Sequence, residues 1–293
     1  MKRIFKYILI TGILVIPFVS CEKDLMNEEH YKKIIYMKSG DNNIYAYPHA
    51  MNDSVTKGFI TIGSGGSMPL DNDLVITVET DIDLLDQYNY RNFDTEDKYA
   101  KLLDNNRYAM PSYNVVLRAG EPSASAFLPI EVDANKLSPD TTYMIPLRIK
   151  SASDFEINPE KEFVLYRIDL ENKYSSSSYR TYKMRGVRLT ENGATSNITT
   201  NKNLMPLARN QIRLFPENIL TSNVLEDINN KAIVIVVNDD NTVRIKSYKN
   251  ISVEQLDDCS YDPELKIFEL NYRYKLPNES SWITIYESLT RIE

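Results

Sequence analysis

The chain has 293 residues, a formal net charge of −7 and 42% hydrophobic residues. That length holds two domains of ordinary size, each with its own core. An acidic surface disfavours nucleic acid and anionic membrane faces as partners, since both need clustered Lys and Arg.

The N-terminus reads as an export signal. Lys2, Arg3 and Lys6 precede the apolar run ILITGILVIPFV at 8–19. That run is shorter than the roughly 20 residues of a membrane-spanning helix. Ser20-Cys21 follows where the run stops, and a small residue before cysteine is the pattern cut by a lipoprotein signal peptidase. Cys21 is therefore the expected lipidation site, with residues 1–20 as the signal peptide. Several acyl chains on one cysteine anchor a protein stably, where a single chain holds it only marginally. Residues 21–31 are polar and mostly acidic, and are expected to form a tether. The other cysteine, Cys259, leaves no disulfide framework within the chain.

From residue 32 the chain reads as strands. IIYMK (34–38), KGFITIG (57–63), LVITVET (74–80), NVVLRAG (114–120), SAFLPIEV (125–132), YMIPLRI (143–149) and EFVLYRIDL (162–170) are short, with turn signals between them. They predict a β-sandwich over 32–172. Pro146 has no ladder donor, which puts its strand at an edge or a bulge. DTEDKYAKLLDNN (94–106) predicts a short helix, capped by Asp94, with Glu96 and Asp97 in the first turn and an apolar stripe of Tyr99, Leu102 and Leu103. The serine run at 174–179 predicts a flexible linker spanning 173–179.

RTYKMRGVRL (180–189) opens a second set of strands. KAIVIVVNDDNTVRIKSY (231–248) is a hairpin turning at Asn238-Asp239-Asp240-Asn241. KIFELNYRYKL (266–276) puts Phe268, Leu270, Tyr272 and Tyr274 on one face, and WITIYESLTRI (282–292) follows. Residues 180–293 are thus expected to be an antiparallel meander or small barrel.

The search for catalytic chemistry returns little. His30 falls in the tether and His49 follows Pro48 in an expected loop, so neither suggests a metal site or a triad. Gly63-Ser64-Gly65-Gly66 lacks the Lys-Ser/Thr of a phosphate loop. DNDLV (71–75) starts like a calcium loop but lacks its glycine. No metal or cofactor is expected. Twenty tyrosines against 9 Phe and 1 Trp suit a half-buried sheet, and they also suit sugar binding through ring stacking. Trp282 is the first glycan-binding candidate. Tyr286 shares its strand face, and Tyr272 or Tyr274 would lie across from it. Ordinary sheet packing is the competing explanation for all four.

Several stretches carry a family resemblance. In the first half they are Tyr88-Asn89, Pro111-Ser112-Tyr113, Arg118-Ala119-Gly120 and the strand from Leu137 through Tyr143 to Pro146-Leu147. In the second half they are LMPLARNQI (204–212), NDDNTVRI, SYDPELKIFELNYRY (260–274) and YESLTRI (286–292). The chain resembles Bacteroidetes surface lipoproteins of polysaccharide-utilisation loci. These pair an immunoglobulin-like N-terminal domain (domain of unknown function 1735) with a C-terminal β domain (domain of unknown function 4361). The charged run after Cys21 also resembles the surface-export signal of such lipoproteins, and Asp53-Ser54-Val55 and Asp140-Thr141-Thr142 resemble their O-glycosylation site. The resemblance implies an all-β protein, an immunoglobulin-like β-sandwich followed by a lipocalin-like barrel or sandwich. It further implies an outer-membrane location facing outward, a TonB-dependent transporter as neighbour and a glycan as ligand. It transfers no ligand-binding residue. The leading expectation is a non-catalytic glycan-binding lipoprotein. An adhesin-like or structural lipoprotein that binds protein comes second. A glycosidase, which needs two facing carboxylates in a cleft, comes last, because enzymes of the resembled family usually carry a separate catalytic domain that this length does not hold.

Overall fold

A computed structural model describes residues 28–122, 124–178 and 181–292. Cys21, the expected signal peptide and most of the expected tether lie outside the described residues.

The first half contains β1 (Ile34–Met37), β2 (Ile44–Ala50), β3 (Thr56–Ser64), β4 (Leu74–Thr80), helix α1 (Asp83–Asn92), β5 (Lys101–Leu102), β6 (Tyr108–Ala109), β7 (Asn114–Leu117), β8 (Ser125–Val132), β9 (Tyr143–Ala152), β10 (Glu156–Ile157) and β11 (Phe163–Glu171). One sheet runs β10-β1-β3-β8-β6, the other β2-β11-β9-β4-β7, with β5 alongside β9. Alternation builds the core between them. Ile60, Ile62, Leu128 and Ile130 of the first sheet pack with Ile76, Ile145, Leu147 and Val164 of the second.

The second half contains β12 (Thr181–Thr190), β13 (Thr195–Asn203), β14 (Met205–Ala208), β15 (Gln211–Leu214), helix α2 (Leu225–Lys231), β16 (Ile233–Val237), β17 (Thr242–Ser247), β18 (Ser252–Gln255), β19 (Cys259–Asp262), β20 (Ile267–Lys275) and β21 (Ile283–Ile292). They form a single sheet ordered β13-β12-β21-β20-β19-β17-β16-β15-β14, with β18 paired to β20. Its two outermost strands, β13 and β14, are separated in sequence by Leu204 alone, which is fully buried. The sheet must therefore curl far enough to bring the end of β13 beside the start of β14, enclosing a core of Tyr182, Met184, Ile235, Phe268, Tyr272 and Leu289. The expected architecture, all-β with a sandwich followed by a curled, barrel-like sheet, is what the chain adopts.

Four local expectations are corrected. The first concerns the helix, which lies at Asp83–Asn92 rather than at 94–106. Within 94–106 there is only a 3-10 turn at Glu96–Lys98 followed by β5. Asn89 on α1 explains the difference. Its side-chain amide donates to the Ala100 carbonyl and its Oδ1 accepts from the Ala100 amide, both at 2.9 Å. The Lys101 amide then donates to Thr142 and the Leu103 amide to Met144. Sheet pairing satisfies these backbone groups, so the helical stripe does not decide.

The second correction is to the edge expected at Pro146: its strand β9 is central, flanked by β11 and β4, and its register shift against β4 falls at Ile149–Ser151, not at the proline. The Pro146 carbonyl accepts from Asp81, so its nitrogen faces the side where β4 has ended at Thr80 and β5 pairs only Tyr143 and Met144. No ladder partner is waiting there, so the missing N–H costs nothing.

Third, the serine run is packed rather than loose. Ser175 and Ser176 are buried, and the side-chain oxygen of Asn172 accepts from the amides of Tyr174 and Ser175. The same Asn172 donates to the Ala208 and Gln211 carbonyls of the second half. Fourth, His49 is no loop residue. It sits fully buried in β2, with Nδ1 2.7 Å from the Thr56 hydroxyl and Nε2 2.8 Å from the Tyr166 hydroxyl. Burial pushes its pKa down to about 4.

Candidate functional site

Strand register decides where the aromatic candidates point. β20 and β21 pair antiparallel with Tyr272 opposite Ile285 and Tyr274 opposite Ile283. Directly opposed residues share a face, and this one is the core. Tyr272 is 0% exposed and Tyr274 1%. The Tyr272 hydroxyl donates to Glu287 Oε1 at 2.8 Å, and that of Tyr274 donates to the Glu217 carboxylate. Neither ring can offer a face to a sugar, which removes both from the candidate site. The period of two in KIFELNYRYKL already placed them with Phe268 and Leu270, on the apolar side.

Trp282 and Tyr286 lie on the opposite, outer face. Tyr286 is 40% exposed and sits between Val187 of β12 and Asn271 of β20. Trp282 is half-buried, one residue before β21, with its backbone amide donating to Glu191 Oε1 at 3.0 Å. The Arg273 guanidinium lies 4.7 Å from the Trp282 ring centre and the Lys275 ammonium 5.3 Å. Arg273 is itself held by Glu254, Nε to Oε2 at 2.8 Å. The true outward neighbours of Trp282 and Tyr286 are thus Asn271, Arg273 and Lys275. Alternation along β20 predicts them once the inward tyrosines are assigned. Trp282 and Tyr286 are four residue steps apart along the strand, about 13 Å at a strand's rise. A ring surface at each end, with Asn271 beside Tyr286, Lys275 beside Trp282 and Arg273 between them on the neighbouring strand, can stack on sugar C–H faces and bind hydroxyls or acidic groups over more than one sugar unit.

Inside the curled sheet lies a polar cluster that the sequence did not announce. Glu287 is 3% exposed, and its Oε2 has no hydrogen-bond partner within the described residues. Burial pushes its pKa up to about 7, against the pull of Lys202. Lys202, 1% exposed, donates to the carbonyls of Phe215 at 2.6 Å, Ile219 at 2.9 Å and Pro216 at 3.3 Å. Burial draws its pKa down to about 8. Glu217 completes the cluster, paired with Arg188 at 2.8 Å. Gly186 lies opposite Glu287 with no room for a side chain, because a Cβ there would come within 2.3 Å of the Tyr286 carbonyl. These groups are enclosed by the sheet, and their hydrogen bonds are to the protein's own carbonyls, hydroxyls and the Arg188 guanidinium.

The remaining motifs have structural occupations. Asp73 accepts from the Ala119 amide and pairs with Arg118. Of the glycine-rich stretch, Gly63 and Ser64 end β3, and Gly65-Gly66 lead to Ser67, whose amide and hydroxyl both donate to Glu29 Oε1, at 2.6 and 2.8 Å. These bonds hold the Glu29 carboxyl well below its usual range. Among the described residues no group of three or more His, Cys, Asp or Glu could hold a metal ion.

Two family models match the chain, one describing an N-terminal domain over residues 31–156 and one describing a C-terminal domain over residues 162–290. No curated protein matches its sequence. Solved structures match its fold. A Bacteroides ovatus protein of unknown function superimposes with a TM-score of 0.66 at 16% identity, over 88% of this chain and 94% of that one. A Bacteroides ovatus multidomain protein that includes domain of unknown function 1735 gives 0.64 at 15% identity, over 88% and 95%. An auxiliary nutrient binding protein from Bacteroides thetaiotaomicron gives 0.60 at 14% identity, over 86% and 92%. Together the two models span most of the chain, which therefore joins that N-terminal domain to that C-terminal domain on a fold shared with these Bacteroides proteins.

Proposed function

We propose that this protein is a lipid-anchored, outward-facing glycan-binding protein of the outer membrane, without catalytic activity of its own. The observation that carries the reading is the outer strip of Trp282 and Tyr286 flanked by Asn271, Arg273 and Lys275. The nutrient-binding description of a protein with the same fold supports it. On this reading the C-terminal half would be a domain of unknown function 4361, and a TonB-dependent transporter would be the neighbour in the membrane. Lipidation of Cys21 would leave seven residues to Glu28, a leash of at most about 25 Å. Glu29, fastened to Ser67, would then hold the sandwich close to the membrane.

Trp282 is the single tryptophan, so its fluorescence reports directly on ligand at this strip. Titration with polysaccharides is expected to shift or quench that emission. Trp282→Ala should weaken binding by about tenfold or more, as truncation of an aromatic anchor does. Unchanged affinity in the variant would remove the strip as the site. Mass spectrometry of the processed protein should find an acylated Cys21 at its start.

A protein-binding reading has one observation behind it. Phe127 is 64% exposed on the outer face of the first sheet, packed edge-on to Phe59 at 4.6 Å between ring centres. It would gain ground if every glycan failed to bind.

A further inference from the structure

We propose that the seam of the N-terminal sandwich holds a second binding site, for an uncharged saccharide, in the cleft beside Tyr113. The inference rests on the glycan reading above and narrows its ligand. β6 is the edge of one sheet and β7 the edge of the other, so residues 110–113 cross between sheets. The crossing leaves a cleft of about 500 Å³ lined by Thr80, Ile82, Asn105, Tyr108, Met110 and Tyr113, among others. That volume lies within the roughly 300–1,000 Å³ of small-ligand sites.

The walls are fixed by backbone bonds. The Val78 amide donates to the Tyr113 carbonyl at 2.8 Å, and the Ser112 hydroxyl accepts from the Asn114 amide at 2.9 Å. On the far side, Arg107 closes the turn from Asp104 with its amide. Its guanidinium donates to Asp133 and to the Asn135 carbonyl, both at 2.9 Å. The cleft is therefore formed before any ligand arrives, which spares the ordering cost of binding.

Its chemistry selects the ligand. Tyr113 is 42% exposed and offers a ring surface. Tyr108 is half-buried beside it and donates its hydroxyl to Asn105 Oδ1 at 3.2 Å. Ile82 and Met110 add apolar surface, while Thr80 and Asn105 add hydrogen-bonding groups. No Asp, Glu, Lys or Arg lines the cleft. A charged ligand would lose its hydration there and find no countercharge. A wholly apolar one would bury the amide and hydroxyls without partners. A neutral sugar, with C–H faces and a rim of hydroxyls, meets both demands. The outer strip differs, since Arg273 and Lys275 give it cations.

The test uses the purified chain and calorimetric titration with cello-, malto-, xylo- and mannohexaose, against oligogalacturonate and a heparin hexasaccharide. At least one neutral oligosaccharide is expected to bind and to slow hydrogen exchange over 105–113. Tyr113→Ala should weaken it by about tenfold or more, Asn105→Ala should weaken it severalfold, and Tyr113→Phe should retain it. An unchanged melting temperature in each variant shows that the fold survives. Binding lost in Trp282→Ala but intact in Tyr113→Ala and Asn105→Ala removes the cleft and keeps the glycan reading. Binding confined to the charged oligosaccharides does the same. A silent panel removes both.

Discussion

Arg213→Ala is expected to lower stability by about 3–5 kcal/mol, the cost of breaking a buried ion pair by removing one partner. It is also expected to uncouple the two halves of the chain. Arg213 belongs to β15 in the second half, yet its guanidinium forms a two-pronged pair with Asp140 of the first half, Nη1 to Oδ2 at 2.5 Å. Its side chain is 1% exposed and lies over the Tyr248 ring at 5.2 Å. Truncation leaves the Asp140 carboxylate without its cation and opens a void beside Tyr248. Arg213→Lys should recover only part of the loss, because a point ammonium cannot match both carboxylate oxygens. The check is urea unfolding followed by Trp282 fluorescence, which reads the second half alone, and by far-ultraviolet circular dichroism, which reads both. The two curves should coincide for the parent and separate for Arg213→Ala. A coincident transition shifted by less than about 1 kcal/mol would mean that the pair contributes no more than a surface ion pair does.

The same junction shows where sequence stops being legible. A serine run carries the composition of a linker, and nothing local reveals that Asn172 will gather the Tyr174 and Ser175 amides while binding carbonyls 36 and 39 residues ahead. Asp140-Thr141-Thr142 reads as a modification motif, but its carboxylate is committed to Arg213. Asp53-Ser54-Val55, by contrast, sits in an exposed turn. Strands were legible because alternation is a local property set by the pleat. Alternation also held the answer for Tyr272 and Tyr274: residues that share a face with Phe268 and Leu270 go inward together. The helix was misplaced because the deciding contact, Asn89 to Ala100, is a tertiary bond that propensity does not contain. The seam cleft was invisible for a related reason. Thr80, Asn105 and Tyr113 meet only because the chain changes sheets between β6 and β7. The curl of the second sheet was legible only from its strand order, which places β13 and β14 at opposite ends although only Leu204 separates them in sequence.

Glu287→Gln is expected to become progressively more stable than the parent as pH rises from about 4.5 to 7, gaining about 1–3 kcal/mol across that window. Burial raises the folded pKa of Glu287 from 4.5 to about 7, so between those values the native state binds a proton that the unfolded chain has released. Its stabilising contribution is present below 4.5 and lost as pH climbs through 7. The attraction of Lys202 is already included in that shift, and the groups facing Glu287 are Lys202 from β13, Tyr272 from β20 and Glu217 from the loop after β15. A glutamine keeps an oxygen for the Tyr272 hydroxyl and never ionises, so it escapes the loss. His49 in the first half titrates with the opposite sign. Its folded pKa of about 4 lies below the ordinary 6.5, so the unfolded chain binds the extra proton and stability rises with pH between the two. The parent therefore combines two opposed slopes over nearly the same pH range, one from each half. Unfolding free energies at several pH values should show Glu287→Gln gaining on the parent as pH rises, and His49→Gln falling further below it between about 4 and 6.5. A Glu287→Gln difference that stays flat from pH 4.5 to 7 would show that this carboxyl remains ionised beside Lys202 in the folded protein, as a conventional buried ion pair.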